Sequence, residues 1–92
     1  MRDTVTITSV GRSIGFTIAP DLLKKSELKL GELAEIEIYE IIKGTEPRPI
    51  SVYMSRKIIS VGGVSKGVTI KHNVAKEFKL KVGDMIGIDI KG

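Results

Sequence analysis

The chain has no cysteine, no tryptophan and no glutamine, and it has only one histidine and one asparagine. Without cysteine, it can form neither a disulfide framework nor a thiolate metal site. Two tyrosines and two phenylalanines are its only aromatic residues. They are too few for the stacking platform on which single-stranded DNA and RNA are usually held. The composition therefore disfavours recognition of RNA or of single strands.

The sequence also lacks a long hydrophobic run. No apolar stretch approaches the roughly 18 residues that a membrane-spanning helix needs, and the start, MRDTVTITSV, has no apolar signal region. We therefore expect a cytoplasmic protein without a membrane partner. A length of 92 residues predicts one small domain. The absence of glutamine beside abundant Lys, Glu and Ile resembles proteins from hot environments.

Charge is unevenly distributed along the chain. The net charge is +4, but residues 1–46 carry six Lys/Arg against eight Asp/Glu, a balance of −2. Residues 47–92 carry nine against three, a balance of +6. Such an asymmetry predicts a polyanionic partner on one side of the molecule.

The sequence is an internal duplication. At an offset of 52, residues 5–40 align with residues 57–92 without a gap, and 12 of the 36 pairs are identical. The identical pairs include Gly15/Gly67, Lys24/Lys76 and Gly31/Gly83. Matched glycines indicate matched backbone conformation, so each copy is expected to fold in the same way.

Each copy has the pattern strand, strand, helix, strand. The periodicity predicts strands at 4–10, 16–18 and 33–42 in the first copy and at 50–61, 67–70 and 85–90 in the second. A short helix follows Asp21 in the first copy and Asn73 in the second, and these two residues are predicted N-caps. Gly31 and the pair Gly83-Asp84 are predicted turn residues.

These observations predict a single domain that covers residues 1–92. Repeat 1 covers about 4–42, repeat 2 covers about 50–92, and residues 43–49, which include two prolines, are predicted to form a linker. A copy of about 40 residues is too short for a stable core, so both copies should share one. We predict a mainly β fold with two short helices, in which about six strands close into a barrel.

The stretches SVGRSIGFTIAPDLLKKSELKLGE and VGGVSKGVTIKHNVAKEFKLKVGD resemble the AbrB/MazE/SpoVT family of swapped-hairpin DNA-binding domains. The resemblance covers nearly the whole chain outside residues 43–49. In that family two units from two chains interlock and bind DNA as a dimer, which implies a single-chain pseudo-dimer here. Lys24 and Lys76 fall on a basic position of the family.

The sequence also departs from the family pattern. The family proline after the second strand corresponds to Ala19 and Lys71, and Gly15 and Gly67 stand where some members carry DNA-contacting arginines. The sequence also resembles a second group, the double-psi barrels and their relatives at the front of some archaeal ATPases. These proteins are likewise built from duplicated ββαβ units. This second resemblance implies a protein-docking module.

No catalytic constellation is visible. His72 has no cysteine or second histidine with which to bind a metal, and no base accompanies Ser13 or Ser65. The segment GGVSKG at 62–67 lacks the order of a phosphate-binding P-loop and is better read as a tight strand connection. We therefore expect no enzymatic activity, no cofactor and no metal.

The candidate functional residues form a basic set placed at loops, helix starts and one strand, where phosphates can be bound. These nucleic-acid-binding candidates are Arg12, Lys24, Arg56, Lys57, Lys66, Lys71, His72 and Lys76. They predict a duplex-DNA-binding protein, either a transcriptional regulator or the antitoxin half of a toxin–antitoxin pair, that acts as a monomeric pseudo-dimer or a homodimer. The alternative is a docking module for a protein partner (a toxin or an adaptor), to which the acidic stripe Glu35/Glu37/Glu40 points.

Overall fold

The computed structural model describes residues 1–91, which form eight strands and two short helices. The first half contains β1 (Arg2–Thr6), β2 (Thr8–Val10), β3 (Ser13–Ile18), α1 (Pro20–Lys25) and β4 (Leu33–Lys43). The second half contains β5 (Glu46–Lys57), β6 (Ile59–Val61), β7 (Ser65–Thr69), α2 (His72–Glu77) and β8 (Met85–Lys91). No helix among residues 1–91 is long and apolar enough to cross a membrane.

The strands form two antiparallel sheets of four, in the orders β1-β8-β4-β5 and β2-β3-β7-β6. The prediction of a mainly β fold with two short helices is confirmed, but two separate sheets stand where one closed barrel was expected. Eight strands replace the predicted six because the first strand of each repeat is interrupted. Ile7 exchanges backbone hydrogen bonds with the 83–84 turn, and Ile58 does the same with the 31–32 turn.

The two halves of the chain interlock. β1 of the first half pairs with β8 of the second, and β5 of the second half pairs with β4 of the first. The central pairs, β4 with β8 and β3 with β7, also join one half to the other. A twofold relation between the halves follows, with Phe16 opposite Val68 and Glu37 opposite Asp89 at its centre.

One hydrophobic core lies inside this arrangement. Phe16, Ile38 and Ile86 are completely buried, and no charged or polar side chain of residues 1–91 is buried with them. The core is drawn from both halves: Val5, Ile7, Phe16, Ile18, Leu22, Leu23, Ala34, Ile36, Ile38, Ile41, Met54, Ile58, Val68, Ile70, Leu80, Ile86, Ile88 and Ile90. Each half thus supplies the apolar cover that the other needs.

The ungapped offset of 52 is wrong in the first strand of each repeat. Because Ile7 and Ile58 bond to equivalent turns, the structural offset there is 51. Val10 therefore matches Val61, while Ser13 still matches Ser65. The second β-hairpin absorbs the extra residue: its loop has three residues, 62–64, whereas the first has two, 11–12. An ungapped comparison cannot detect a compensating loop insertion.

Residues 43–49 do not form a linker. Lys43 pairs with Glu46 across a two-residue turn, and Pro47 pairs with Ile42 inside the β4–β5 hairpin. Gly44 has a φ of 68°, as the first central residue of a type II′ turn requires. The prolines are tolerated because β5 is an edge strand of its sheet.

The predicted N-caps are also wrong. The helices begin at Pro20 and His72, and the residues that precede them, Ala19 and Lys71, make no side-chain capping bond. Pro20 suits the first helical position because its φ is fixed and its missing N–H is not needed there. Asp21 lies inside the first turn, where its negative carboxylate interacts favourably with the positive end of the helix dipole.

Candidate nucleic-acid interface

A groove about 830 Å³ in volume lies between the β2–β3 turn and α2. We call it the basic groove; it is lined by Arg12, Ser13, Ile14, Arg56, Ile70, Lys71, His72, Asn73, Ala75, Lys76, Lys79 and Leu80. These residues include five lysines or arginines and no carboxylate. The groove therefore attracts anions.

Local folding explains how the cations come together. The tight β2–β3 turn, in which Gly11 has a φ of 60°, places Arg12 at the tip of the hairpin. Ile70 donates a backbone hydrogen bond to Ile14 at 2.9 Å and so brings the start of α2 beside that hairpin. Lys71 precedes α2 and Lys76 lies in its last turn, so both ends of the helix contribute charge.

Arg56 reaches the groove from β5 in the other sheet. Its Nε donates a hydrogen bond to the Thr69 carbonyl oxygen at 2.9 Å, and its Nη2 donates to Thr69 Oγ1. These two bonds hold the guanidinium in place at the side of the groove. A fixed guanidinium loses less conformational entropy on binding an anion than a free side chain does.

Lys79 is a groove residue that the sequence analysis missed. It follows α2 with a φ of 53°, and its amide and that of Leu80 bond to Lys76 and Ala75 as in a Schellman motif. The Lys43 ammonium group donates to the Lys79 carbonyl at 2.7 Å and fixes this turn. A comparison of charge between the repeats would have revealed Lys79, because its counterpart is Glu27.

Within residues 1–91, no carboxylate forms an ion pair with a cation of the basic groove. The ion pairs within residues 1–91 are Met1 with Asp89, Arg2 with Asp89, and Lys43 with Asp84. None of these pairs involves a residue of the groove. The positive charge therefore faces solvent and any ligand that enters.

Five of the eight predicted binding residues meet in this groove: Arg12, Arg56, Lys71, His72 and Lys76. Lys24 and Lys66 do not join them but lie together in another groove. Lys57 is exposed at the end of β5, paired with Leu33, and lines neither groove. The predicted set is thus divided among three places.

The groove that holds Lys24 and Lys66 is the repeat-related counterpart of the basic groove. We call it the second groove; its volume is about 480 Å³, and it is lined by Thr17, Ile18, Ala19, Pro20, Leu23, Lys24, Leu28, Val64, Ser65 and Lys66. At the offset of 52, six of these residues correspond to residues that line the basic groove: Ile18, Ala19, Pro20, Leu23, Lys24 and Leu28. The fold therefore builds the same groove twice.

The acidic stripe is partly occupied by the protein's own serines. Ser55 donates a hydrogen bond to Glu35 at 2.7 Å, and Ser51 donates to Glu37 at 3.3 Å. Glu37 and Glu40 are only half-exposed. No group of three His, Cys, Asp or Glu side chains within residues 1–91 could hold a metal ion.

Comparison with known proteins gives no match for this chain, whether with a family model, a curated protein or a solved structure.

Proposed function

We propose that this protein binds duplex DNA through the basic groove and acts as a DNA-binding regulator or antitoxin rather than as an enzyme. The observation that carries the proposal is that one groove gathers five cationic side chains with no carboxylate among its lining residues. Cationic side chains bind the phosphate backbone and supply a large share of the affinity of proteins for DNA.

The interlocked topology adds support. In the AbrB/MazE/SpoVT family, which the sequence resembles, two units interlock to form the DNA-binding body. Here the first strand of each half pairs with the last strand of the other half within a single chain. We therefore propose that the chain is a pseudo-dimer of that swapped-hairpin type.

The experiment is a salt titration with a fluorescent duplex, followed by anisotropy between 50 and 200 mM salt. If all five groove cations contact phosphates, log affinity should fall with log salt with a slope of about −4.5. The variant Arg12→Ala/Lys71→Ala removes two of these contacts. Its slope should be shallower by about 1.8.

The matched control is Lys57→Ala/Lys91→Ala, which removes the same charge from β5 and β8, outside the groove. It should retain the wild-type slope. Absence of duplex binding by the wild-type protein at 50 mM salt would refute the proposal. Equal losses in the two double variants would show attraction by net charge alone and would refute the assignment to the groove.

The protein-docking alternative has weaker support because Glu35 and Glu37 already accept hydrogen bonds from serines of β5. Purification with a stoichiometric protein partner and without nucleic acid would favour this alternative over DNA binding.

A further inference from the structure

The two grooves have the same architecture but different chemistry. Lys76 in α2 and Lys24 in α1 are equivalent lysines at the same position of the repeat. Around them the charges differ: Lys71 corresponds to Ala19, and Lys79 corresponds to Glu27. Duplication produced two grooves, and only one of them is now strongly basic.

The hairpin tips above the two grooves differ in the same sense. Arg12 is at the tip of the β2–β3 hairpin and lines the basic groove. The β6–β7 loop places Val64 at the corresponding position, where it is 95% exposed. The side chain of valine offers neither a hydrogen-bond donor nor a positive charge to a phosphate.

A third difference lies on the strand that runs beside each groove. The Arg56 guanidinium is fixed by Thr69 and lines the basic groove. At the offset of 51 that applies to this strand, its counterpart is Val5, which is buried in the core. The second groove therefore has no equivalent of this positioned cation.

We infer that only the basic groove contacts DNA, so that one chain binds a duplex asymmetrically and its twofold-related second groove stays free of nucleic acid. This inference rests on the proposed function. A symmetric dimer with two equal grooves matches a palindromic site, because the symmetry of the protein is mirrored in the DNA. A chain with one active groove needs no such symmetry in its target.

Lys76→Glu and Lys24→Glu provide a matched test. Both lysines are exposed, both lie in the last turn of a six-residue helix, and both substitutions change the net charge equally. Lys76→Glu should weaken duplex binding at least about tenfold and reduce the salt slope by about 1, as expected for the loss of a phosphate contact. Lys24→Glu should stay within about twofold of the wild type.

A second measurement requires no substitution. Titration of the isotope-labelled wild-type protein with a short duplex should shift the amide NMR signals of α2 and the β2–β3 turn. The signals of α1 and the β6–β7 loop should not shift.

Thermal unfolding of Lys24→Glu and Lys76→Glu checks that each variant is folded.

The outcomes separate this inference from the proposal on which it rests. Equal weakening by Lys24→Glu and Lys76→Glu, or amide shifts in both helices, would overturn the one-groove inference while DNA binding stands. Shifts confined to α1 would also overturn it. No binding by the wild-type protein would refute the proposed function and the inference together.

Discussion

Gly15 and Gly67 are required by contact rather than by backbone conformation. They lie in the central β3–β7 pair, where Gly15 is opposite Thr69 and Gly67 is opposite Thr17. A Cβ atom on Gly15 would lie 2.1 Å from the Val68 carbonyl oxygen, and one on Gly67 would lie 2.2 Å from that of Phe16. This crowding excludes any side chain larger than that of glycine at these two positions.

We predict that Gly67→Ala destabilises the fold by about 2–3 kcal/mol, because the overpacked atom is backbone and the strands must separate. Gly11→Ala is the matched control. Its position has a φ of 60° but no atom within 4 Å of the added Cβ. That variant should lose only about 1 kcal/mol through backbone strain. Urea unfolding measures both values, and equal losses would contradict the contact explanation.

Asp84 makes the stability of the folded protein depend on pH. Burial by itself raises the Asp84 pKa, but the hydrogen bonds from the Lys43 ammonium group and the Lys81 amide outweigh it, and the pKa lies below 3.8. A carboxyl group with a lowered pKa in the folded state stabilises the protein above pH 3.8. That contribution is lost as the pH falls through the folded-state pKa.

We predict that Asp84→Asn lowers the free energy of unfolding by about 1 kcal/mol at pH 7, a modest value because Lys43 is part-exposed. The difference from wild type should shrink as the pH falls from 3.8 through the folded-state pKa of Asp84, because protonation makes its side chain neutral, as that of asparagine is. Glu32→Gln is the control, since Glu32 accepts the Lys29 amide in the matching turn but pairs with no cation within residues 1–91. Urea midpoints at pH 7 and pH 3 test this, and a difference that grows in acid would contradict it.

At the scale of elements, β5 shows how the fold protects a free edge. Lys43 and Glu46 close a two-residue turn, so they form a hydrogen-bonded pair, and the pairs Ile42/Pro47 and Glu40/Pro49 fall on alternate, non-hydrogen-bonded positions. The nitrogens of both prolines therefore face the open edge. There they remove two N–H groups to which another strand could bind.

We predict that Pro47→Thr/Pro49→Thr leaves the monomer folded but promotes its association, because the edge regains two N–H donors. Sedimentation velocity at increasing concentration should show dimers or larger species that the wild type does not form. Arg48→Thr is the control, since the intervening residue directs its N–H toward β4. If the proline variant remains monomeric wherever the wild type does, the prolines do not protect this edge.

Most elements could be predicted from the sequence because their signals are local. The alternation of apolar and polar residues at 85–90 predicts a strand, and the glycines at 31 and 83 predict two turns. Both signals depend only on residues that are close in the sequence. The linker prediction failed because a tertiary contact decides the structure of residues 43–49. Pro47 and Pro49 favour a linker when read locally, and only the pairing with β4 places them in a strand.

The candidate site was predictable in part for the same reason. The sequence identified Arg12, Lys71 and Lys76 as basic residues beside loops and helix ends, and the structure places all three in one groove. It could not separate them from Lys24 and Lys66, because that division depends on which hairpin packs against which helix. The pairing of strands between the two halves determines which hairpin lies beside which helix.

At the scale of the whole molecule, stability depends on the exchange of strands between the halves. β1 has its partner β8 in the other half, and β3 and β4 each have a central neighbour there as well. Neither half alone can provide hydrogen-bond partners for the backbone of these strands or cover its own apolar side chains. A copy of about 40 residues is in any case too small for an independent core.

We predict that residues 1–45 and residues 46–92, prepared separately by division at the exposed turn, recover the native fold when mixed in equal amounts. Each fragment alone should give no dispersed NMR spectrum as a monomer. Self-association of the first fragment would place Phe16 against Phe16 where Phe16 now meets Val68, and a fully buried core position tolerates the added volume poorly. The mixed fragments are the positive control for the competence of each piece. If residues 1–45 fold as a stable monomer, the halves do not depend on each other and the shared-core account of this fold is wrong.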